Sequence, residues 1–557
     1  MNAYLDYKLN IKDSHHFNFK VGVNTEDLTY NSNNIQSNGI INLNFPTLNL
    51  TTGNKAATVG EVFKDRATAG FFARINYDYK GKYLVEVNGR YDGSSLFKSG
   101  DKWAFFPSFS LGYRISEEKF FEPLKQVVSN AKIRASYGSI GNQDISSNWY
   151  PFIATVATTS TSWITKDGVT ASTVGMPGVL GSSMTWEKIR TLDFGLDIGF
   201  FKGDLNLVFD WYQRENVGML VPRNAISQIA GVSTLPKENS GNLKTTGWEL
   251  QIDYNHLFDN DLSIFVTATV ADAKSKITKW NTSTGALNGY YIGKELGEIW
   301  GFQTADAYFT ADEAANGIQT AIGIVPISDY QKVLQTGNFR FGEGDVKYVD
   351  LNGDGKVDSG AGTIDEHGDA IRIGNTTPRY EYSLRAGAAW KGFDLEVLFQ
   401  GVGKREAWLT SSVIIPHYEE RHMNLFSDQL DYYTPENPNA KFPRPYMGHT
   451  GTVNGFSNSG KNNFAPQTKY LSDVSYLRLK NLTVGYTIPQ KWSKKIYVEK
   501  ARVYFSADNL LTFDHLDGAL DPESLGGWND AYGIDELYAG RSTPFCRTIS
   551  FGVQVTF

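Results

Sequence analysis

Apolar and polar residues alternate with a period of two along much of this chain, the signature of strands whose successive side chains point to opposite faces. In residues 191–200, Leu192, Phe194, Leu196, Ile198 and Phe200 share one face, and Asp193, Gly195, Asp197 and Gly199 share the other. The same division sets Leu205, Leu207, Phe209 and Trp211 against Asn206 and Asp210, and Trp248, Leu250, Ile252 and Tyr254 against Glu249, Gln251 and Asp253. Farther along, Tyr380, Tyr382, Leu384, Ala386, Ala388 and Trp390 oppose Glu381, Ser383 and Arg385, and Phe393, Leu395, Val397 and Phe399 oppose Asp394, Glu396 and Gln400. Carboxylates facing lipid would be costly, whereas facing a wet lumen they are tolerated, and the aromatic strand ends suit interfacial girdles.

The pattern predicts about fifteen strands, near 2–11, 16–24, 69–80, 82–91, 103–114, 130–139, 186–200, 204–214, 245–256, 262–274, 379–391, 393–403, 475–488, 500–510 and 546–557. Their connections sort by length. Those at KDSHH, KGK, FKGD, HLFDND and the KG before Phe393 are short, and 115–129 and 489–499 are moderate. Most of the others are long: 25–68, 140–185, 215–244, 275–378, 404–474 and 511–545. A β-sandwich also alternates but does not sort its loops, whereas a membrane barrel has tight periplasmic turns and extended extracellular loops. The fold class is therefore all-β, a transmembrane antiparallel β-barrel.

Bacterial barrels usually have an even strand count and end in the periplasm, so fifteen strands counted back from Phe557 place Met1 on the extracellular side. MNAYLDYKLNIKD also lacks a charged n-region followed by an apolar h-region. Residues 1–557 are thus expected to be a partial barrel, the carboxy-terminal portion of a longer protein.

Composition agrees with the pattern. A length of 557 residues would ordinarily mean several soluble domains, and a large barrel is the main exception. Aromatic residues make up 14% and the net charge is -7, which disfavours nucleic acid as a partner. Mean hydropathy is below zero and no run approaches the roughly 20 apolar residues of a membrane helix, because strands disperse their membrane signal by alternation. The single cysteine, Cys546, permits no internal disulfide and is expected to be a small buried filler.

The sharpest local motif is Asp350-Leu351-Asn352-Gly353-Asp354-Gly355-Lys356-Val357-Asp358, with the D-x-N-x-D-G spacing of a Ca²⁺ loop. Asp350, Asn352 and Asp354 would supply side-chain oxygens, Gly355 the sharp turn, Lys356 its carbonyl, and Asp358 a ligand directly or through water. The twelfth position, where a bidentate Glu is expected, is Ala361, and Asp365 or Glu366 would have to substitute. An Asx-rich turn with no ion is the alternative, and a bound ion would stiffen the 275–378 loop.

Histidines form no ligand set: His15 and His16 share a turn, and His417 and His422 are five apart in a loop. No H-E-x-x-H, G-x-S-x-G, P-loop or paired-Cys motif occurs, so catalysis has little support. Loop aromatics Trp163, Tyr290, Tyr291, Trp300, Tyr432, Tyr433 and Trp528 are candidates for stacking on sugar rings, or they pack the loops. The Pro-rich 434–445 segment is either an interface for a partner or a plain ordered loop.

The last segment places Ile549, Phe551, Val553, Val555 and terminal Phe557 on one face, and a closing strand ending in Phe resembles the outer-membrane assembly signal. Further stretches include RYDGSSLFKSGDKWAFFPSFSLGYRISEEKFF (90–121), KIRASYGSIGNQD (132–144) and TWEKIRTLDFGLDIGFFKGDLNLVFDWYQREN (185–216). GDVKYVDLNGDGKVD (344–358), YYTPENPNAKFPR (432–444), SYLRLKNLTVGYTIP (475–489), RVYFSADNLLTF (502–513) and LDPE (520–523) follow in order. Together these resemble the SusC/RagA group of TonB-dependent transporters of Bacteroidota. The resemblance implies a barrel of roughly 22 strands, with about seven strands, the plug and the TonB box outside this chain. It also implies active import across the outer membrane of oligosaccharides or peptides without covalent chemistry. The implied partners are a SusD-like surface lipoprotein, the TonB complex through the plug region, and outer-membrane lipids. An adhesive or structural barrel is the competing reading.

Overall fold

The computed structural model describes the chain apart from residues 38, 41–43, 45–46, 48–57, 144–148, 151, 155, 157, 166, 169, 176, 182–183, 223–236, 282–283, 336–338, 410–415, 417–425, 447–462, 517–519 and 526–542. Fifteen strands form one antiparallel sheet in chain order. They are β1 (Asn2–Ile11), β2 (His15–Gln36), β3 (Thr58–Tyr79), β4 (Tyr83–Ser94), β5 (Trp103–Arg114), β6 (Val128–Asn142), β7 (Glu187–Phe200) and β8 (Leu205–Pro222). The series continues with β9 (Lys237–Leu257), β10 (Ser263–Lys279), β11 (Arg379–Trp390), β12 (Phe393–Lys404), β13 (Tyr476–Thr487), β14 (Lys500–Asp514) and β15 (Thr548–Thr556). Among the described residues β1 and β15 each pair on one side only. No helix among them is long and apolar enough to cross a membrane.

Short connections gather at one end of the sheet, where chain reversal needs a left-handed backbone. Lys80 and Gly81 have φ of 53° and 67°, and Lys391 and Gly392 have φ of 47° and 90°. Two successive positive φ values match the right-handed twist of the flanking strands, and Gly takes the second at no steric cost.

The strands run farther from that end than alternation predicts. β2 and β3 stay paired out to Gln36 and Thr58, twelve residues beyond the predicted end of β2 at 24. Above the lipid both faces of a strand meet water, so segments such as Asn24–Gln36 keep their ladder hydrogen bonds while losing the apolar face that reveals a strand.

Register aligns the outer face of β7–β10 into level rows. Phe200, Leu205, Tyr254 and Val266 form the row nearest the short turns. Above it lie Ile198, Leu207, Ile252 and Ala268, then Leu196, Phe209, Leu250 and Val270, then Phe194, Trp211, Trp248 and Asp272. Phe194 stacks on Trp211 with ring centroids 6.1 Å apart. Four rows spaced two residues apart span about 20 Å along a strand, close to the roughly 25 Å apolar band of a membrane barrel.

Cys546 is exposed, contrary to the buried filler expected of it. It lies two residues before β15, the edge strand of the sheet, and its carbonyl oxygen accepts from Asn509 Nδ2 at 3.2 Å.

Candidate functional site

The inner face of the sheet is polar and cross-braced. Arg134 on β6 donates from Nη2 to Asp197 Oδ1 on β7 at 2.8 Å, and its Nη1 lies 2.9 Å from Asp210 Oδ1 on β8. That reach crosses β7 over Gly195, where an added Cβ would sit 2.4 Å from Arg134 Cζ and 2.5 Å from Asp210 Oδ1. Gly195 therefore belongs to the bridge rather than to a bend. Arg502 on β14 repeats the device, donating from Nε to Asp394 on β12 at 3.0 Å across Gly485 of β13. Hydroxyls continue the bracing through Thr245 and Ser275 (2.8 Å) and through Thr269 and Ser383 (2.7 Å).

Several inner carboxylates are paired with cations: Asp197 also faces Lys132 at 3.6 Å, and Arg385 donates to Glu396 at 2.7 Å. The wall therefore presents both signs of charge to the lumen. A concavity of about 870 Å³ on this face is lined by Lys20, Arg74, Glu86, Asn88, Arg90 and Asp92 among others. Its lining also includes Phe72 and Phe106, so charged and amide groups beside aromatic ones can hydrogen-bond hydroxyl-rich or amide-rich cargo and pack against it. Arg134 and Arg502 sit at polar positions of strands that alternation identifies, but their pairing across an intervening glycine depends on register.

The second region is a crown built by the connections after β10 and after β12. Phe302, Phe309, Tyr330, Val346, Tyr348 and Val357 form a closed core, with Phe309, Tyr348 and Val357 fully buried. Buried amides satisfy its polar groups: Tyr348 N donates to Gln331 Oε1 at 2.8 Å, and Gln467 Nε2 donates to Tyr348 Oη at 3.1 Å. Asp345 joins the two connections. Its fully buried carboxylate accepts from Gly342 N, Tyr446 Oη and Asn463 Nδ2, each at 2.8 Å, with Arg444 Nη2 3.7 Å away. Burial outweighs these partners and pushes the Asp345 carboxyl up to about 6. A third connection, after β14, is tied to the crown side of β13, where buried Arg478 contacts Asp521 at 2.7 Å and Glu523 at 2.9 Å.

The predicted calcium-loop residues do come together. Asp350 accepts from Gly353 N at 2.7 Å and Gly355 N at 2.8 Å, Asn352 Oδ1 from Asp354 N at 2.9 Å, and Asp354 Oδ1 from Lys356 N at 3.1 Å. The Lys356 ammonium reaches Asp358 Oδ2 at 2.7 Å and Asp354 Oδ2 at 3.7 Å, and it holds the Asp358 carboxyl below the usual range. Asp369 was missed by sequence spacing. Fully buried, it accepts from Leu351 N at 2.7 Å, Asn352 N at 3.2 Å and Asp358 N at 3.0 Å, fastening both ends of the loop. Among the described residues the Asp365 and Glu366 side chains do not bond into the loop's oxygen cluster, and no group of three or more His, Cys, Asp or Glu side chains converges as a metal cage.

Most candidate stacking aromatics serve packing. Trp300 donates to Glu298 at 2.8 Å, Tyr291 bonds the same carboxylate, Tyr432 packs against the Trp408, Phe442 and Phe464 cluster, and Tyr433 meets Tyr308 edge-on. Trp163 is 79% exposed, whereas the half-exposed Tyr290 ring packs against Trp280 with centroids 4.8 Å apart and lies under the Lys294 ammonium at 5.9 Å. Trp528, His417 and His422 lie outside the described residues. The Pro-rich segment folds back on the crown through Arg444 N to Gly344 O at 2.9 Å. Phe557 is exposed, one residue past the last β14–β15 pair.

A family model described as "TonB dependent receptor-like, beta-barrel" matches residues 1–510. TonB-dependent receptor P26 of Formosa agariphila is 28% identical over 493 residues, covering 88% of this chain and 46% of that protein. TonB-dependent receptor SusC of Bacteroides thetaiotaomicron is 24% identical over 463 residues, covering 82% of this chain and 41% of that protein. The chain thus spans about half the length of the curated relatives it matches. Among solved structures, the RagAB peptide transporter superposes with a TM-score of 0.74 at 21% identity, covering 100% of this chain and 55% of that chain.

Proposed function

The chain belongs to the TonB-dependent receptor-like β-barrel family of the outer membrane, and we propose that it forms the wall and outer crown of an active importer of oligomeric nutrients. The cargo is a glycan or an oligopeptide, delivered together with a SusD-like surface lipoprotein and drawn in by TonB acting through a plug outside this sequence. The observation that supports this most is the inner wall, a polar face that carries both signs of charge and a concavity of about 870 Å³, together with a crown that has its own packed core. A wall that only anchors a surface structure needs no such lining. The relatives' names support the same reading, SusC and RagAB each being said of those proteins.

For the Asp350–Asp358 loop we propose Ca²⁺ as a ligand, held by side-chain oxygens of Asp350, Asn352, Asp354 and Asp358 and the Lys356 carbonyl. These are the hard oxygen donors Ca²⁺ takes, and the ion would enter where the Lys356 ammonium now bridges Asp354 and Asp358. Phe557 is proposed as the assembly signal.

Importer function is tested by deleting the full-length gene and measuring uptake of fluorescently labelled oligosaccharide and oligopeptide mixtures. Uptake of one class that is restored by the gene and abolished by a protonophore is expected. Unchanged uptake of both, with loss of surface adhesion instead, would favour the adhesive barrel.

A further inference from the structure

The outer-face rows of β7–β10 do not end at the tryptophan pair. The next row up carries Leu192, Gln213, Thr246 and Lys274, and the one above it Arg190, Glu215, Lys244 and Lys276. Pairing is unbroken through both rows, since the register shifts in β8–β9 and β9–β10 fall above them. All these side chains point away from the lumen, because the odd-numbered partners Thr245 and Ser275 bond each other on the inner face. Arg190, Lys274 and Lys276 are exposed and Lys244 is half-buried. Lys276 has one long ion pair, Glu295 at 3.9 Å, and the row's remaining carboxylate is Glu215. Asp272, just below, is already taken by Arg379.

We infer that this row is a docking site for the phosphorylated headgroup of an outer-leaflet glycolipid. Four features carry the inference. The cations stand one and two rows above the Phe194, Trp211 and Trp248 girdle, which sets the height of the apolar band. Lys244 and Lys276 are cross-strand partners on adjacent strands about 5 Å apart, with Lys274 two residues along from Lys276, close enough for one phosphate to meet two of them, while Arg190 stands two strands away across Glu215. Their sign opposes the net charge of -7 of the chain, so the patch is not an average property of the surface. Their outward aim removes them from cargo, which passes on the other face. Basic residues at a membrane surface attract anionic lipid with roughly 1 kcal/mol each.

The test uses full-length receptor extracted from outer membranes in mild detergent, with retained lipid measured by native mass spectrometry. The triple variant Lys244→Gln, Lys274→Gln, Lys276→Gln is expected to lower retention of phosphorylated lipid A on the order of a hundredfold. Replacement of the same three by Arg is expected to preserve it, which guards against a folding defect, as does heat-modifiable migration on gels. The matched double variant Lys202→Gln, Lys391→Gln at the opposite rim is expected to change nothing. Added inorganic phosphate at millimolar concentration is expected not to displace the lipid, because the acyl chains share the adjacent apolar rows. Equal retention of enzymatically dephosphorylated lipid A, or unchanged retention in the Gln triple variant, overturns the proposal. So does a shift from dimer to monomer with lipid unaffected, which would assign the row to a second copy of the chain.

Discussion

The wall and the crown are built from the same residue types by opposite rules. In the wall, large apolar residues are outermost: Phe71, Phe105, Phe194 and Phe551 are exposed, and lipid rather than protein covers them. In the crown, Phe309, Tyr348 and Val357 are sealed from solvent among other side chains. The wall is held by ladder hydrogen bonds and inner-face bridges, and the crown by a hydrophobic core of the water-soluble kind. One chain therefore folds against two solvents, and its two regions should respond differently to the same class of mutation.

The largest contrast is expected from Phe309→Ala. Removing a fully buried aromatic ring costs about 3–5 kcal/mol, comparable to the stability of a small packed unit. Hydrogen exchange across residues 298–375 is expected to rise sharply while heat-modifiable migration of the barrel is retained. Phe194→Ala in the lipid-facing wall is expected to leave crown exchange untouched. Collapse of the barrel in Phe309→Ala would break the comparison, by showing that the wall relies on the crown.

Asp345 sharpens it through pH. Its carboxyl titrates near 6 in the fold against an ordinary value of 3.8, so between these values the folded crown holds a proton that the unfolded chain has released. Stability from this group is therefore present below about pH 4 and is lost as pH rises to about 6, by a few kcal/mol at most. Asp358, held low by Lys356, works in the opposite sense and loses its contribution as pH falls. The difference between wild type and Asp345→Asn isolates the first effect. Protection of the crown in the wild type relative to that variant is expected to be greater at pH 5 than at pH 7, and a pH-independent difference would remove Asp345 as the titrating joint.

How much of each region could be read in advance follows from the same contrast. The wall was legible because one face must be apolar for every lipid-spanning residue pair, and the bounds of β1 and β5 match alternation to the residue. It stopped being legible above the membrane, where Asn24–Gln36 pairs with Thr58–Gly70 and no apolar face is required. The crown left little periodic signal. Its packed clusters draw Phe302, Tyr348 and Phe464 from a short strand, a bridge and a turn far apart in sequence, and only the Asp350–Asp358 spacing stood out. Even there Asp369, which fastens that loop, lies beyond its spacing and was invisible. At the inner wall the charged positions were legible, but not that Arg134 would reach over Gly195.

Gly195→Val tests that reach. A side chain here would occupy the space of the Arg134 guanidinium and the Asp210 carboxylate, so the bridge from β6 to β8 must open. Overpacking of this kind typically costs about 1–3 kcal/mol, and the thermal midpoint of the barrel is expected to fall while crown exchange stays unchanged. The same substitution at Gly178, where an added Cβ meets nothing within 4 Å, is expected to be neutral. Equal effects at the two sites would mean that Gly195 is not specific to the bridge.

The smallest effect is expected from Arg385→Gln. Its bond to Glu396 is short at 2.7 Å, yet both side chains are well exposed, at 55% and 40%. Water competes for each, and such pairs contribute about 0.2–1 kcal/mol. Barrel stability is therefore expected to change by no more than this amount. The variant frees a carboxylate on the inner face, so a consequence in transport is expected where stability shows almost none: uptake of cationic oligopeptides should rise relative to neutral ones. A stability loss above about 2 kcal/mol would show that the inner wall is bound together as tightly as the crown, and the two regions would then differ in solvent alone.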